Sequence, residues 1–239
     1  MTRAAPEQIN ALGQTIGAPL PGWTPRPRPP HTPLAGRLCR LEPLDPDRHG
    51  PALHEAYAAD SEGRNWTYLP YGPFASAQDW AAMMRVVQKM TDVIFYAIVA
   101  ADVGRPVGVA SYLRIEPAMG SIEVGHLSYA PALQRHAAAT EAMYLMMRHA
   151  FDELGYRRYE WKCDSLNQPS RRAALRLGFR FEGIFRQHMV IKGRTRDSAW
   201  FSILDSEWPA LRNAFERWLE PANFDAKGQQ RARLEELRG

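Results

Sequence analysis

Hydrophobic and polar positions divide the first part of the chain into a strand and two helices. Residues 36–44 alternate between polar and apolar side chains, which predicts a first strand. Asp45 and Asp47 follow it and are suited to cap the helix that comes next. After a loop rich in aromatic residues and glycine, Ser76 or Ala77 begins a second helix.

The middle of the chain has the pattern of strands joined by tight turns. Residues 92–100 are rich in β-branched and aromatic side chains, which favours a buried strand. The short turns "GRP" and "AMGS" separate it from two more strands, over 107–117 and 122–131. Strands connected in this way form an antiparallel meander.

The hydrophobic period then becomes helical. Apolar residues at 139, 143, 146, 150 and 154 predict a helix that Gly155 ends. A strand follows, so this helix is a crossover between two parallel strands. The remaining pattern predicts a short helix, a hairpin and a terminal helix, over 167–179, 180–204 and 205–219.

This order of elements predicts an α/β (α+β) fold, with a mixed sheet of about seven strands flanked by helices. We expect one domain over residues 34–219, preceded by a proline-rich arm over 1–33. The arm is expected to follow an extended path on the domain surface and to bury Leu20 and Trp23. A short helix is predicted within residues 6–17, and a surface helix or a frayed end over 220–239.

Composition and charge narrow the function classes. Apolar residues make up 45% of the chain, which is typical of a globular protein. The net charge of +4 indicates either a mildly basic surface or attraction of an anion such as a nucleotide cofactor. We find no nucleic-acid motif, membrane span or apolar signal core, and therefore expect a cytoplasmic protein with no nucleic-acid or membrane partner. Cys39 and Cys163 are expected to be free thiols and are too few for a structural zinc site, so no metal is predicted.

The stretch "LQRHAAATEA", residues 133–142, is the first candidate site. It begins a long helix directly after a strand, where backbone N–H groups have no partners inside the helix and carry the positive end of its dipole. Its alanines leave those donors open and Arg135 adds a charge, which favours binding of a pyrophosphate. The alternative is a helix start that is alanine-rich by chance.

Asn167 and Ser170 form a second cluster at the start of the next helix. Each of two parallel strands feeds a helix, and ligands commonly bind in the crevice at the carboxyl ends of such strands. The alternative is that either residue only caps its helix.

The element order, "LQRHAAATEA" and the pattern N-x-x-S-x-x-A-A-x-x-L-G-F-x-x-E-G resemble the GNAT superfamily of acyl-CoA-dependent N-acetyltransferases. The branch that contains the RimJ/RimL-type ribosomal-protein N-terminal acetyltransferases is similar in four places: Thr140–Ala142, Leu177–Phe179, Glu182–Gly183 and Gly193–Asp197. The resemblance covers roughly residues 34–219. It implies a GNAT-like fold and acetyl-CoA as the cofactor.

The family's pyrophosphate loop, Q/R-x-x-G-x-G/A, maps onto residues 134–139. Ala139 fits the pattern, whereas Ala137 replaces a glycine and narrows the approach to a phosphate by one methyl group. The resemblance and the helix start together predict these cofactor-binding residues: Leu127, Ser128, Tyr129, Gln134, Arg135, His136, Ala137, Ala138, Ala139, Thr140, Asn167, Ser170 and Arg172. Arg171 is a further candidate for contact with the CoA phosphates, and the alternative for either arginine is a solvated side chain.

In this family an amine attacks the thioester directly in a ternary complex, so three predicted catalytic residues follow from the resemblance. Glu123 is the candidate base, and on a regular strand its side chain shares a face with Leu127 and Tyr129. His126 is the alternative base but is expected on the opposite face. Ser170 is the candidate proton donor to the departing thiolate, with Tyr129 as a weaker one.

The resemblance places the acceptor beside the aromatic loop and the late hairpin. The predicted substrate-binding residues are Trp66, Tyr68, Tyr71, Phe74 and Arg186, with Phe185 and His188 also on the hairpin. The alternative for the aromatic residues of the loop is that they cover the core, and we expect this of at least half of them. The acceptor is expected to be a small-molecule amine or a peptide N-terminus. Because the chain is itself basic, a small amine is favoured over a basic ribosomal protein.

Two alternatives remain open at this point. One is a ribosomal-protein N-terminal acetyltransferase, and the other is a non-catalytic acyl-CoA-binding module, which the alanine at position 137 would suit. The sequence leaves the oligomeric state open, with a homodimer among the alternatives.

Overall fold

The computed structural model describes residues 8–238, and the first seven residues of the arm and Gly239 of the tail lie outside them. The strands are β1 (Gln8–Ile9), β2 (Thr15–Ile16), β3 (Leu34–Ala35), β4 (Cys39–Pro43), β5 (Ile94–Ala100), β6 (Pro106–Glu116), β7 (Ser121–Tyr129), β8 (Arg158–Asp164), β9 (Arg180–Ile191) and β10 (Arg194–Leu204). The α-helices are α1 (Pro46–Ala58), α2 (Ala77–Gln88), α3 (Ala137–Arg148), α4 (Gln168–Arg176), α5 (Trp208–Leu219) and α6 (Leu234–Leu237).

The main sheet has eight strands in the order β3-β4-β5-β6-β7-β8-β10-β9. All neighbours are antiparallel except β7 and β8, which α3 connects as a parallel pair. The predicted mixed α/β fold is therefore confirmed. The strand beyond the predicted seven is the two-residue β3 at the edge of the sheet.

Helices cover both faces of this sheet. One apolar cluster lies between the sheet and helices α3 and α5, and a second lies between the sheet and helices α1 and α2. Helix α3 is held in place by the buried carboxylate of Glu141, which accepts the backbone N–H groups of Arg37, Leu38 and Cys39 at 2.6–3.0 Å. Three hydrogen bonds to one buried carboxylate fix the start of α3 against the sheet edge.

Strand β7 contains a β-bulge that changes which side chains share a face. Its Gly125 pairs with Ser111 and its Ser128 with Val109, so two residues of β7 oppose one of β6. His126 takes a left-handed conformation there, with φ of 50°. The regular alternation of side chains between the two faces of the sheet is therefore interrupted after Gly125.

Strands β7 and β8 separate halfway along their length. They pair only from Ser121 to Val124 on β7, opposite residues 158–161 of β8. Beyond that point β8 keeps its pairing with β10 as far as Asp164, while residues 125–129 of β7 have no partner on the β8 side. A wedge-shaped gap thus opens inside the sheet, at the carboxyl ends of its two parallel strands.

The proline-rich arm follows an extended path, but only part of it is buried as predicted. The Trp23 ring contacts Arg26 at 4.4 Å, and its indole N–H donates to the carbonyl of Ala118. Leu20 is 51% exposed. The short helix predicted within 6–17 is wrong over the residues that the structure describes, because the Asn10 side chain accepts two backbone N–H groups and forms the turn of the β1–β2 hairpin.

The tail after α5 folds back onto the domain. It contains a one-turn 3₁₀ helix at Pro221–Asn223 and the short α6, whose Leu234 is fully buried. The indole N–H of Trp218 donates to the Gln230 side chain. The predicted surface helix is therefore limited to α6, and most of the tail is irregular but ordered by its contacts.

Cys39 and Cys163 are buried free thiols, as predicted. None of the helices in the described part of the chain combines the length and the apolar character needed to cross a membrane.

Candidate functional site

A cleft of about 950 Å³ fills the gap between β7 and β8. Its walls come from the first turns of α3 and α4, the aromatic loop before α2, the β9–β10 hairpin and the tail after α5. This is the position that the crossover predicts, at the carboxyl ends of two parallel strands.

The start of α3 presents small side chains and backbone donors to the cleft. Ala137, Ala139 and Thr140 line it, whereas Ala138 is fully buried in the core. The His136 ring caps the helix by accepting the N–H of Ala138 at 3.2 Å. Within the described chain, the N–H groups of Arg135 and Ala137 donate to no protein acceptor, so they remain available to a bound anion.

Gln134, another predicted residue, holds the cleft wall together. Its amide donates to the carbonyl of Tyr129 at 2.9 Å and to the Asn65 side chain at 2.8 Å. Asn65 in turn donates to the same Tyr129 carbonyl at 3.0 Å. This triangle joins the end of β7, the turn before α3 and the aromatic loop.

The separated half of β7 contributes Leu127, Ser128 and Tyr129 to the cleft wall. The Tyr57 hydroxyl donates to the Ser128 carbonyl at 2.9 Å. The Tyr129 hydroxyl is buried and has no hydrogen-bond partner in the part of the chain that the structure describes. Burial raises the pKa of this phenol far above its usual value, which makes Tyr129 a poor proton donor.

At the start of α4, Asn167 and Ser170 both line the cleft. The Asn167 side chain accepts the N–H of Ser170 at 3.1 Å, and the Ser170 hydroxyl oxygen accepts the indole N–H of Trp161 at 3.0 Å. Arg171 donates to the carbonyl of Ser165. Neither Arg171 nor Arg172 is among the residues that line the cleft.

Arg176, one turn further along α4, lines the cleft and is absent from the sequence prediction. It donates to the Thr140 hydroxyl at 3.0 Å and lies over the Trp218 ring at 5.2 Å. The available signal was its spacing of three residues from Ala173 and six from Ser170, which places all three on one face of α4. Its partner Trp218 belongs to a distant helix and gave no local signal.

Glu123 lies at the base of the gap and is 3% exposed. One guanidinium nitrogen of Arg114 contacts both carboxylate oxygens at 2.9 Å, and the Lys162 ammonium contacts one at 2.8 Å. Burial raises the pKa of the Glu123 carboxyl, while Lys162 and Arg114 oppose that rise. Lys162 also contacts Glu160 at 2.8 Å, so the ammonium joins two carboxylates.

His126 lines the same cleft, and its predicted orientation is wrong. The bulge turns its ring toward α1 and α2, where it stacks on Tyr71 and shares a hydrogen bond of 3.0 Å with the Tyr71 hydroxyl. Leu127 and Tyr129 instead pack against the core cluster of α3 and α5, so the prediction that they share a face with Glu123 is also wrong. Burial lowers the pKa of the imidazole to about 4, so it is neutral at pH 7.

The aromatic loop is mostly core. Trp66 and Tyr71 are buried and Phe74 packs beside them. Among the predicted aromatic residues of this loop, Tyr68 lines the cleft, and its hydroxyl donates to the carbonyl of Leu166 at 3.3 Å. That hydrogen bond joins the aromatic loop to the loop before α4 across the cleft.

The β9–β10 hairpin contributes His188 and Arg196 to the cleft, whereas Arg186 and Phe185 line a separate surface depression. Arg196 and Lys162 were missed because their positions depend on strand register. Trp200 of β10 pairs with Lys162 of β8, so the lysine stem and its ammonium lie over the indole at 3.8 Å.

Comparisons with known proteins agree on one family. Residues 38–180 match the family model described as an acetyltransferase (GNAT) domain. A GCN5-related N-acetyltransferase from Brucella melitensis is 49% identical in sequence, and the two structures superpose with a TM-score of 0.89 over 92% of this chain and 99% of that one. The uncharacterized N-acetyltransferase p20 of Bacillus licheniformis is 25% identical over 64% of this chain and 85% of its own length.

The similarity to ribosomal-protein acetyltransferases is more distant. The enzyme of Salmonella typhimurium that modifies the N-terminal serine of ribosomal protein L7/L12 is 20% identical, with a TM-score of 0.61 over 72% of this chain and 98% of that one. Similarity at that level shows a shared fold and leaves the predicted RimJ/RimL branch as a hypothesis.

Proposed function

The chain belongs to the GNAT acetyltransferases, a family of acyltransferases, and from this premise we propose that it transfers the acetyl group of acetyl-CoA to a primary amine. The acceptor is a small molecule or a peptide N-terminus, and it attacks the thioester directly in a ternary complex. Acetyl-CoA, when bound, supplies the acetyl group as an activated thioester.

The separation of β7 from β8 is the observation that carries this proposal. It leaves one edge of residues 125–129 unpaired along a cleft that is open to ligand. An extended chain with amide groups can pair with such an edge, as an added strand would. The pantetheine arm of CoA is a chain of this kind.

The first turn of α3 fits the pyrophosphate. The free N–H groups of Arg135 and Ala137 lie at the positive end of the helix, and the Arg135 side chain adds a charge. The methyl groups of Ala137 and Ala139 are small enough to leave those donors accessible. These residues hold the cofactor by backbone groups, so the alanine at position 137 is compatible with binding.

Glu123 is the proposed general base. It lines the cleft at the base of the gap, and its carboxylate can take a proton from the incoming ammonium through a water molecule. Arg114 and Lys162 hold the carboxylate in one orientation. His126 is the alternative, but its low pKa makes it the weaker base.

Ser170 is the proposed donor of a proton to the sulfur that leaves. Its oxygen accepts a hydrogen bond from Trp161, and its hydroxyl hydrogen is within hydrogen-bond reach of the Cys163 sulfur, a weak acceptor that the departing thiolate can replace. The same hydrogen bond stabilises negative charge on the oxygen and so favours donation. Tyr129 is not favoured in this role, because its buried phenol has a raised pKa.

A small acceptor is supported by the contact between Tyr68 and Leu166, which crosses the cleft and limits the width of an approaching ligand. A ribosomal protein remains the alternative acceptor. It would need this contact to open.

The test is an acetyl-transfer assay with purified full-length protein. Acetyl-CoA is supplied with a panel of small primary amines and with peptides that have free N-termini, and CoA release is measured together with the mass of the product. We expect CoA to bind and at least one amine to gain about 42 Da, the mass of one acetyl group in place of a hydrogen. CoA binding with no turnover of any acceptor would support the non-catalytic binding module, and absence of CoA binding would contradict both.

A further inference from the structure

One face of the sheet carries a group of charged side chains beside the proposed acceptor position. It is the face opposite α3 and α5. Arg114, Glu123, Lys162, His188 and Arg196 all line the cleft there. Arg114, Glu123 and Lys162 form ion pairs with one another or with nearby carboxylates, whereas Arg196 forms none with the residues that the structure describes.

The paired charges form a nearly neutral network. Glu123 binds both Arg114 and Lys162, and Lys162 also binds Glu160. Arg158 binds Glu160 and Glu182, whose carboxylate also accepts the Ser202 hydroxyl. Within this network each cation has a carboxylate within salt-bridge distance, so little net charge remains.

Arg196 is the cation without such a partner. It is half-buried in the cleft wall, and among residues 8–238 no carboxylate lies within 4.0 Å of its guanidinium. Its Nε donates to the Ser198 hydroxyl at 3.1 Å. Asp164 is within electrostatic reach but forms no ion pair with it, and burial lowers the pKa of the guanidinium.

The orientation of Arg196 is fixed. Ser198 is fully buried, and its hydroxyl oxygen contacts both Arg196 and the Nδ1 atom of His188, at 3.1 and 2.8 Å. Burial lowers the pKa of His188, and the positive charges of Arg114, Arg196 and Lys162 lower it further. A neutral imidazole and a serine hydroxyl therefore flank the guanidinium, and neither compensates its charge.

From these contacts we propose that the acceptor amine carries a carboxylate and that Arg196 binds this carboxylate. The inference rests on the proposed acetyl transfer and names its substrate class as an amino acid. A half-buried cation with no ion-pair partner is costly, and an anionic ligand that reaches it recovers part of that cost. A guanidinium and a carboxylate also match in geometry, since two parallel N–H groups meet two oxygens.

The charge balance favours a carboxylate over a phosphate group. One guanidinium without an ion-pair partner matches a ligand group of charge −1, whereas a phosphate monoester carries about −1.5 to −2 at pH 7. The same balance disfavours a basic protein segment at this wall, because such a segment would add like charge beside Arg196.

The experiment compares α-, β- and γ-amino acids with the amides of the same acids, which keep the amine and lose the negative charge. For the preferred amino acid we expect kcat/KM to exceed that of its amide by roughly 10- to 100-fold, the range for a hydrogen bond between charged groups. Arg196→Gln should remove this preference by weakening the acid and leaving the amide nearly unchanged. Arg196→Lys, which keeps the charge, should retain part of it.

The matched control is Arg194→Gln, an exposed arginine on the same strand that does not line the cleft. It should leave the preference of the wild-type protein intact. Equal use of acids and amides would overturn the proposal, as would an equal loss for both in Arg196→Gln. Turnover of amines without any carboxylate preference would leave acetyl transfer standing and reject only the substrate class.

A binding measurement decides the question even if no acceptor is turned over. N-acetyl amino acids and N-acetyl amino acid amides are titrated into the CoA complex while the His188 imidazole signals are followed by NMR. A carboxylate bound at Arg196 should raise the pKa of His188 and should bind at least ten times more weakly to Arg196→Gln, about 1.4 kcal/mol. If neither acids nor amides shift these signals, Arg196 does not bind the acceptor and the proposal fails.

Discussion

The two sides of the cleft are built in different ways. On the side proposed to bind the cofactor, the first turn of α3 and the free edge of β7 offer backbone groups, with alanine side chains that leave them accessible. On the side proposed to bind the acceptor, the wall contains long charged side chains held by ion pairs, as at Glu123, Lys162 and Arg114. A backbone site depends on local conformation, whereas a side-chain site depends on which strands are neighbours.

This difference predicts separable effects. Changes on the acceptor side should alter turnover and acceptor preference while CoA still binds. On the cofactor side, substitutions that add bulk or negative charge should weaken CoA binding, whereas exchange for another small residue should leave it nearly unchanged.

The largest effect is expected from Glu123→Gln. Loss of the base should lower kcat by about 10³-fold, within the range for general acid–base catalysis, and leave the Kd of CoA unchanged. The wild-type rate should fall as pH drops through the carboxyl pKa, because the base acts when deprotonated, and the variant should lose this dependence. Steady-state kinetics and calorimetry measure the two quantities.

Glu160→Gln is the matched control for that change. It also removes a carboxylate from Lys162, but Glu160 does not line the cleft. Its kcat should stay within a few-fold of wild type. An equal loss in both variants would mean that Glu123 acts through the charge network and is not the base.

The next effect concerns stability at His126. The pKa of its imidazole is about 4 in the folded protein, against 6.5 for a histidine exposed to water, so between these values the unfolded chain binds the extra proton and stability is lost as pH falls. Between about pH 7 and pH 4.5, the free energy of unfolding of the wild-type protein should therefore fall further than that of His126→Gln, by on the order of 2–3 kcal/mol. Urea unfolding at both pH values measures this, and identical losses in the two proteins would contradict the burial of a neutral imidazole.

On the cofactor side, Ala139→Glu should weaken CoA binding by about 30-fold, since it places bulk and a negative charge where the pyrophosphate is proposed to bind. Ala77→Glu, in the first turn of α2 and away from the cleft, is the control for an added glutamate in a first helical turn. Calorimetry with CoA compares them. Equal affinity in the Ala139 variant and the control would remove the start of α3 from the site.

The smallest effect is expected from Ala137→Gly. The change removes the methyl group that narrows the approach to the N–H donors, at a helix cost of at most about 1 kcal/mol. CoA affinity should be preserved or slightly strengthened. Markedly weaker binding by a variant that melts like the wild-type protein would mean that the loop around Ala137 does not bind the pyrophosphate in the proposed way.

The cofactor side could be predicted from sequence because its signals are local. The helices and the parallel crossover could be identified from the hydrophobic period, from the cap at Ser76 and from the glycine at 155. Helix α3 begins at Ala137, inside the predicted stretch. Of the predicted cofactor-binding residues 134–140, all except Ala138 therefore line the cleft, and Ala138 turns into the core.

The acceptor side could not be predicted because its geometry is non-local. No reliable sequence signal marks a histidine in the left-handed conformation. The bulge at His126 was therefore missed, and with it the face of the sheet on which the His126 side chain lies. Lys162 and Arg196 meet the site only through the register of β8 with β10. Trp66 and Tyr71, predicted to bind substrate, instead fill the core beneath α1 and α2, because large aromatic side chains are mostly buried.

Hydrogen–deuterium exchange with and without CoA tests the account most directly, because it follows the backbone groups on which cofactor binding is proposed to depend. CoA should slow exchange in peptides that cover 125–129 and 135–140, where the strand edge and the helix start are free. Exchange over residues 121–124, already paired with β8, and over the hairpin near Arg196 should change little. Protection confined to the hairpin, or no protection at 125–129 under saturating CoA, would contradict the proposed position of the cofactor.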